Sequence, residues 1–556
     1  MQILTAAEMQ ACDRATTERY GVASLELMRS ASAAVSAFAL EQFPKARRAT
    51  VLCGKGNNGG DGMMTARLLA TAGLEVTTLL LGSHYELKGD VATAWRDLGL
   101  APHRFIYEVN TAADFKTYNA ALNTDLIVDA VLGTGFRPPL TGLALAALEW
   151  VTASRACFLS IDLPSGWPAD EISTTIADPV FPSDAVITFT APKPAHVFGQ
   201  LTRGSNRPVV VAPIGSPDEA IVSAQGLTWA GASHTLIEKA RAADANKGKF
   251  GHVLVIGGSV GKSGAPAMTS LAAMRVGAGL VTAAVPAAVV AQVSSFAPEL
   301  MTQPLKAGVT GEVAVAGITR QQFAKLAEGK TLIATGPGLG QGAGAVKLVE
   351  AVLSESELPA LMDADALNIL AANPELLAKL VEVAKGGRTI VLTPHPGEMA
   401  RLTGKSVAEI QADRLEAARN FAGETGVTLV LKGSRTLIAH PDGSAAVNTT
   451  GNPAMAKGGS GDVLTGIIAG LLAQYPNDVA RAVEAAVYLH GMAGDFAVRE
   501  WDEHTLLATD SLAHLSKAFR FRPFRFYRGA PRGYVWLQGL PAAAVPAMTR
   551  SHEAAE

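Results

Sequence analysis

Cysteine is scarce in this chain. Only Cys12, Cys53 and Cys157 occur, odd in number, far apart and in no CxxC pair. No disulfide framework is expected, and a reducing, cytoplasmic setting is. The opening MQILTAAEMQACDRATTERYG has no basic region and no long apolar run, so it is not read as a signal peptide. It reads as an amphipathic helix opened by a Thr5–Glu8 capping box. No window reaches the roughly 18 uncharged apolar residues of a membrane span, so none is expected. Charge of one sign is lacking too. A net charge of −3 gives no global field for nucleic acid or an anionic membrane, so neither is expected as a partner. No short-period repeat of the solenoid kind is found.

What is present is glycine among apolar runs. The chain has 556 residues, too many for one core, and two to four domains are expected. Its 55 glycines cluster between apolar segments, as in nucleotide-handling α/β proteins. From residue 49, strand-like runs alternate with helix-like segments: ATVLCG, LEVTTLLLG, LIVDAVLG, CFLSIDLP, DAVITFT, PVVVAP. A stretch without strand pattern follows Pro213, and a second series starts at HVLVIGGS. Both series predict a parallel α/β sheet with helices on both faces. The expected division is 1–217, 225–516 and a disordered extension, 517–556. That extension mixes Arg with Phe and Tyr before turning Ala/Pro-rich.

The densest motif is NTTGNPAMAKGGSGDVLTG, residues 448–466. Glycines and a lysine run into an apolar helix, whose start offers free N–H groups and the positive end of its dipole to an anion. Asp462 stands where the glycines stop. It is either an N-cap or a general base for a hydroxyl that attacks phosphate. Other strand-end loops of this half are ATGPGLG, DADALN, TPHPGEM and LKGSRT. Lys432 and Arg435 in the last suit nucleotide phosphates, and His395 is either structural or catalytic. GGSVGKSG is not a Walker loop, because the first glycine of that pattern falls on Ile256.

In the first half, GKGNNGGDG (54–62) contains a formal GxGxxG. A dinucleotide fingerprint is rejected, since Glu75 begins the second strand where an acid at its end is needed. Asp129 and Asp162 follow apolar runs and adjoin glycine loops, at the strand ends that line the crevice of an open sheet. Asn58, Asp129 and Ser165 could give oxygen ligands to a hard cation, and Asp162 could serve as acid/base.

GxGNNGGDG, VDAxxGTG and DLPSG, in this order over about residues 1–215, resemble the NAD(P)H-hydrate epimerase family, a Rossmann-like three-layer sandwich. The resemblance implies substrate contacts from Asn57, Asn58, Gly59, Gly60 and Asp61, from Gly133, Thr134, Gly135, Phe136, Arg137, Pro138 and Pro139, and from Asp162. It implies potassium at Asn58, Asp129 and Ser165. Arg29 departs from the family's LMExA, which leaves local helix packing open.

Residues 225–515, with GNPxMAxGGxGD, resemble the ADP- or ATP-dependent NAD(P)H-hydrate dehydratases of the ribokinase-like superfamily. Here the resemblance implies hydrate contacts from Ala265, Gly338 and His395. Nucleotide contacts are implied from Lys432, Gly433, Ser434, Arg435, Thr436 and Gly461, with Asp462 as base. Ala454 stands where Gly is common. The two halves together look like the bifunctional repair enzymes. The expected substrates are NADHX and NADPHX, with Mg²⁺ and ADP as phosphoryl donor, and the expected assembly is a homo-oligomer. The rival reading is a vitamin-type kinase of the same superfamily fused to a non-catalytic binding module.

Overall fold

A computed structural model describes residues 1–203, 208–522 and 535–537. The chain divides into two compact units, Met1–Gln225 with Arg522–Glu556, and Gly226–Phe521.

The strands of the first unit are β1 (Arg48–Cys53), β2 (Glu75–Leu81), β3 (Arg104–Val109), β4 (Leu126–Ala130), β5 (Cys157–Ile161), β6 (Ala185–Phe189) and β7 (Val209–Ala212). They stand parallel in the order β7-β6-β5-β4-β1-β2-β3. The central strands are apolar and fully buried, as a sheet covered on both faces requires. Strand order reverses between β1 and β4, and the loops after these two strands therefore open a crevice at their carboxyl ends. Gly54 after β1 allows the loops to close on one another. A Cβ there would lie 2.1 Å from the Val131 carbonyl oxygen.

The expected capping box is present on helix Ala6–Glu18. The Thr5 N–H donates to Glu8 Oε2 at 2.8 Å and the Glu8 N–H to Thr5 Oγ1 at 3.2 Å. Arg29 causes no packing difficulty. It projects from helix Ser24–Gln42 and pairs with Glu26 at 2.5 Å, while Leu27, Met28 and Ala31 turn inward.

The second unit contains β8 (Leu227–Trp229), β9 (His252–Ile256), β10 (Leu280–Pro286), β11 (Met301–Leu305), β12 (Leu332–Thr335), β13 (Ala360–Met362), β14 (Ile390–Leu392), β15 (Thr428–Leu431), β16 (Leu437–Ala439) and β17 (Ala445–Val447). Their order is β11-β10-β9-β12-β13-β14-β15-β16-β17-β8. The reversal here lies between β9 and β12, and it repeats the first unit's device. A Cβ on Gly257 would lie 2.3 Å from the Pro337 carbonyl oxygen.

Two expectations need correction. The connector after Pro213 does contain a strand, β8, which pairs parallel with β17. The sheet is also not wholly parallel, because β16 runs antiparallel to both β15 and β17.

Of the expected disordered extension, residues 517–522 belong to ordered structure. Helix Leu515–Arg520 buries Ala518, and Phe521 is buried after it. A further strand, β18 (Val535–Leu537), pairs parallel with β7. The remainder of that extension lies outside the described residues.

Candidate active sites

The crevice of the first unit is a cavity of about 1020 Å³. Asn57, Asn58 and Asp61 reach it from the start of helix Asn57–Thr71, and Gly133, Thr134, Gly135 and Phe136 from the loop after β4. Gly59 and Gly60 do not line it. A Cβ on Gly59 would strike the Gly54 backbone at 1.8 Å, and one on Gly60 the Met28 side chain at 2.7 Å, so these glycines permit packing. Arg137 is exposed and donates to the Phe136 carbonyl at 3.0 Å. Neither it nor Pro138 and Pro139 lines the cavity.

Asp162 lies at the end of β5 with φ +66°, a strained backbone for a non-glycine residue. Its Oδ2 accepts from the Thr134 N–H at 2.9 Å, and its Oδ1 from Thr188 Oγ1 at 2.8 Å and Lys193 Nζ at 3.0 Å. Burial alone would raise its pKa. The Lys193 ammonium and the hydrogen bonds outweigh burial and hold the carboxyl below its usual range. Asp162 is therefore a fixed carboxylate. Asp13 and Asp61 on the same cavity are the opposite case, raised by burial and by the Asp162 charge.

Asp129 and Ser165 lie behind the loop. Ser165 donates to Asp129 from Oγ at 2.6 Å and from its N–H at 2.8 Å. Asp129 is fully buried, and burial pushes its pKa up to about 6. Asn58 Nδ2 is buried without a hydrogen-bond partner.

In the second unit, helix Ser460–Gln474 starts after Gly459, which has φ +91°. Asp462 sits in its first turn, and Thr269 Oγ1 donates to the Asp462 carbonyl at 3.0 Å. A Cβ on Gly461 would lie 3.6 Å from Lys432 Nζ and 3.8 Å from Asp363 Oδ2, so the helix start adjoins that ion pair. Lys432 Nζ donates to Asp363 Oδ1 at 2.8 Å and approaches Glu398 Oε2 at 3.7 Å. Thr465, one turn beyond Asp462, donates to Asp363 Oδ2 at 2.7 Å. Burial and then the Asp363 anion raise the Asp462 pKa to about 7, with Lys432 opposing. That value suits a base working near neutrality.

Ala265 and Gly338 meet, since a Cβ on Gly338 would lie 3.2 Å from that of Ala265. His395 caps helix Pro396–Thr403, its Nδ1 accepting from the Gly397 N–H at 3.0 Å while the ring stays exposed. The partial burial of the ring, against an opposing Glu398 charge and with Lys432 and Arg401 adding to it, lowers its pKa, which keeps it neutral. The loop 432–436 is braced from behind. Arg414 donates to the Ser434 carbonyl at 2.5 Å, and Thr436 Oγ1 to the Gly433 carbonyl at 2.9 Å. Arg435 turns its guanidinium toward the protein, donating to the Thr449 carbonyl at 3.0 Å. Ala454, where Gly is common, is accommodated: it is buried in a 3₁₀ turn.

Sequence reasoning missed Lys193, Thr188, Asp363 and Thr465. DADALN was visible as a strand-end loop, and its first aspartate could have been paired with the lysine of LKGSRT. Lys193 stands in APKPAH, which carries no signal of chemistry.

Together these features define a two-site α/β enzyme: a Rossmann-like unit whose cavity holds the Asp162 carboxylate, and a ribokinase-like unit with the Asp462 carboxyl in the first turn of a glycine-led helix. The chain belongs to the family of bifunctional NAD(P)H-hydrate repair enzymes. The family model for NAD(P)H-hydrate dehydratase matches residues 253–517, and that for the YjeF-related protein N-terminus matches residues 24–195. The bifunctional NAD(P)H-hydrate repair enzyme of Moorella thermoacetica is 38% identical over 530 residues, 94% of this chain and 97% of that one. The Escherichia coli enzyme of that name is 36% identical, covering 91% of each chain. A solved ADP/ATP-dependent NAD(P)H-hydrate dehydratase from Bacillus subtilis, co-crystallised with ATP and Mg²⁺, is 34% identical. It covers 52% of this chain and 96% of its own, with a TM-score of 0.43.

Proposed function

We propose that the first unit interconverts the R and S hydrates of NADH and NADPH and that the second dehydrates the S form at the expense of ADP. The observation that carries this reading is Asp462, a carboxyl with pKa about 7 at a helix start beside Lys432. Asp462 takes the proton of the hydrate's hydroxyl, whose oxygen attacks the terminal phosphorus of ADP, releasing AMP. The phosphate then leaves with the C–O electrons as the neighbouring carbon loses a proton, and the ring double bond returns. Lys432, Gly433, Ser434, Thr436 and Gly461 hold the nucleotide, while the Arg435 side chain, turned onto the Thr449 carbonyl, braces that loop rather than meeting phosphate. Ala265, Gly338 and His395 hold the hydrate. The N–H groups of the helix start receive the transferring phosphoryl group.

Among the described residues no cluster of three or more His, Cys, Asp or Glu side chains could hold a metal ion. That fits Mg²⁺, which binds mainly through nucleotide phosphates and water, with one or two carboxylates. Asp363 or Asp365 would supply the carboxylate, and the ion would neutralise phosphate charge. In the first unit, Asp129 is a fully buried carboxylate, and the buried Asn58 carboxamide has its Nδ2 without a hydrogen-bond partner. The Asp129 carboxylate and the side-chain oxygens of Asn58 and Ser165 are the donor types a hard cation takes, and potassium would be held there. Asn57, Asn58, Asp61 and the loop 133–136 hold the epimerase substrate. Asp162 acts as its acid/base.

The test is recovery of reduced-nicotinamide absorbance from separated R and S hydrates with Mg²⁺, K⁺ and either ADP or ATP. Recovery from both hydrates with ADP supports the whole reading. Recovery from S alone leaves the first unit a binding module. Failure with both hydrates sends the second unit to the kinase reading.

A further inference from the structure

We propose that Lys193 is the second acid/base of the epimerase site, working opposite Asp162. The inference rests on the epimerase reading above. Lys193 follows β6 and is 2% exposed, yet it lines the cavity. Its Nζ lies 3.0 Å from Asp162 Oδ1 and 2.7 Å from Thr188 Oγ1, and the third N–H is held only loosely, by the Phe189 carbonyl at 3.5 Å. The pair is set in a rigid frame. His196 Nδ1 accepts from the Lys193 N–H at 2.9 Å, and the other face of the same ring, Nε2, meets the Asp162 carbonyl at 2.7 Å. Asp13 from helix Ala6–Glu18 also feels the Lys193 charge. A bare counter-ion for Asp162 could sit anywhere around the carboxylate. This one sits on the cavity wall.

The chemistry of the substrate needs two such groups. The ring double bond beside the nicotinamide nitrogen is an enamine. Water adds its hydroxyl to the carbon bonded to nitrogen, so the hydrate carries oxygen and nitrogen on one carbon. Epimerisation of that carbon can proceed by opening the ring. Asp162 removes the hydroxyl proton and C=O forms. The C–N bond breaks with its electron pair on nitrogen, and Lys193 gives that nitrogen a proton. Rotation about the bond to the aldehyde carbon presents its other face. Closure then reverses each transfer, Lys193 taking the proton back and Asp162 returning its own. No oxidant, reductant or co-reactant is consumed. A carboxylate oxygen and an ammonium nitrogen 3.0 Å apart are matched to two heteroatoms on a single carbon.

The experiment uses full-length protein, R hydrate, ADP and Mg²⁺, with recovery from S hydrate as a control in the same sample. Lys193→Arg keeps the positive charge beside Asp162 but does not give up its proton. It should unfold at the wild-type temperature, bind R hydrate with little change in KM, and lose about 10²- to 10⁴-fold in R-hydrate kcat. Lys193→Ala should be equally slow, and added primary alkylamines should restore part of the rate in an order set by their pKa. Full R activity in Lys193→Arg would reduce Lys193 to a counter-ion and overturn the proposal. So would absent amine rescue, or rescue indifferent to amine pKa. If the wild type itself fails to recover R hydrate, the epimerase reading fails instead, and the two failures are thereby distinguished.

Discussion

At the scale of single residues, both sites rest on carboxylates that protein charge tunes in opposite directions. Lys193 offsets burial and keeps Asp162 ionised, whereas burial and then the Asp363 anion keep the Asp462 proton on to about pH 7. A base acts only once deprotonated. The rate of S-hydrate dehydration should therefore rise as pH increases through about 7 and then level. Asp363→Asn removes an anion from Asp462 and frees Lys432 to face it. Both changes favour the ionised base, so the rising limb should move to lower pH. A pH–rate profile of the variant checks this, and an unmoved limb would leave Asp363 a purely structural partner. Asp462 was legible in the sequence because glycines frame it. Asp363 and Lys193 act through neighbours 69 and 31 residues away, and one-dimensional spacing does not report such pairs.

At the scale of elements, close helix packing fixes where Asp462 sits. Gly466 and Gly470 lie four apart on one face of helix Ser460–Gln474, against helix Gly264–Arg275. A Cβ on Gly466 would lie 2.1 Å from the Thr269 carbonyl oxygen, and one on Gly470 lies 2.3 Å from a Val276 methyl. Gly466→Ala must part the two helices and pull Thr269 from the Asp462 carbonyl. The expected outcome is a loss of about 1–3 kcal/mol in the unfolding of this unit. S-hydrate kcat should fall while R-to-S epimerisation, followed by chromatography, stays at the wild-type rate. The strands most legible in the sequence were the buried ones, continuous apolar runs such as those of β4 and β9. The missed ones lie at or near sheet edges, where pattern weakens. Arg104–Val109 exposes Phe105 and Tyr107, Met301–Leu305 is largely exposed, and Leu227–Trp229 and Ala445–Val447 are three residues each.

At the scale of the whole molecule, each unit carries its own sheet with its own reversal of strand order. In each, a glycine after the strand at that reversal, Gly54 after β1 and Gly257 after β9, lets the loop close on its neighbour. Gly54→Ala and Gly257→Ala should accordingly act separately. The first should lower R-hydrate recovery and leave S-hydrate recovery intact, and the second should abolish both, because epimerised product still needs the dehydratase. Parallel assays of the two variants check this. Strand patterning lapses near Pro213, and the units divide after Gln225. Strand β8 was not readable in the sequence, because a three-residue strand gains its identity only from pairing with Ala445–Val447 more than two hundred residues on.

Coupling of two activities through one metabolite is the central claim, and a pair of base-deleting substitutions tests it most directly. Asp462→Asn and Asp162→Asn are each given R hydrate and S hydrate with ADP and Mg²⁺, with both recovered NADH and the R/S ratio followed. Asp462→Asn should recover no NADH from either hydrate yet bring R and S to the same final ratio. Asp162→Asn should recover NADH from S at the wild-type rate and leave R untouched. NADH recovery by Asp462→Asn at the wild-type rate would contradict the account.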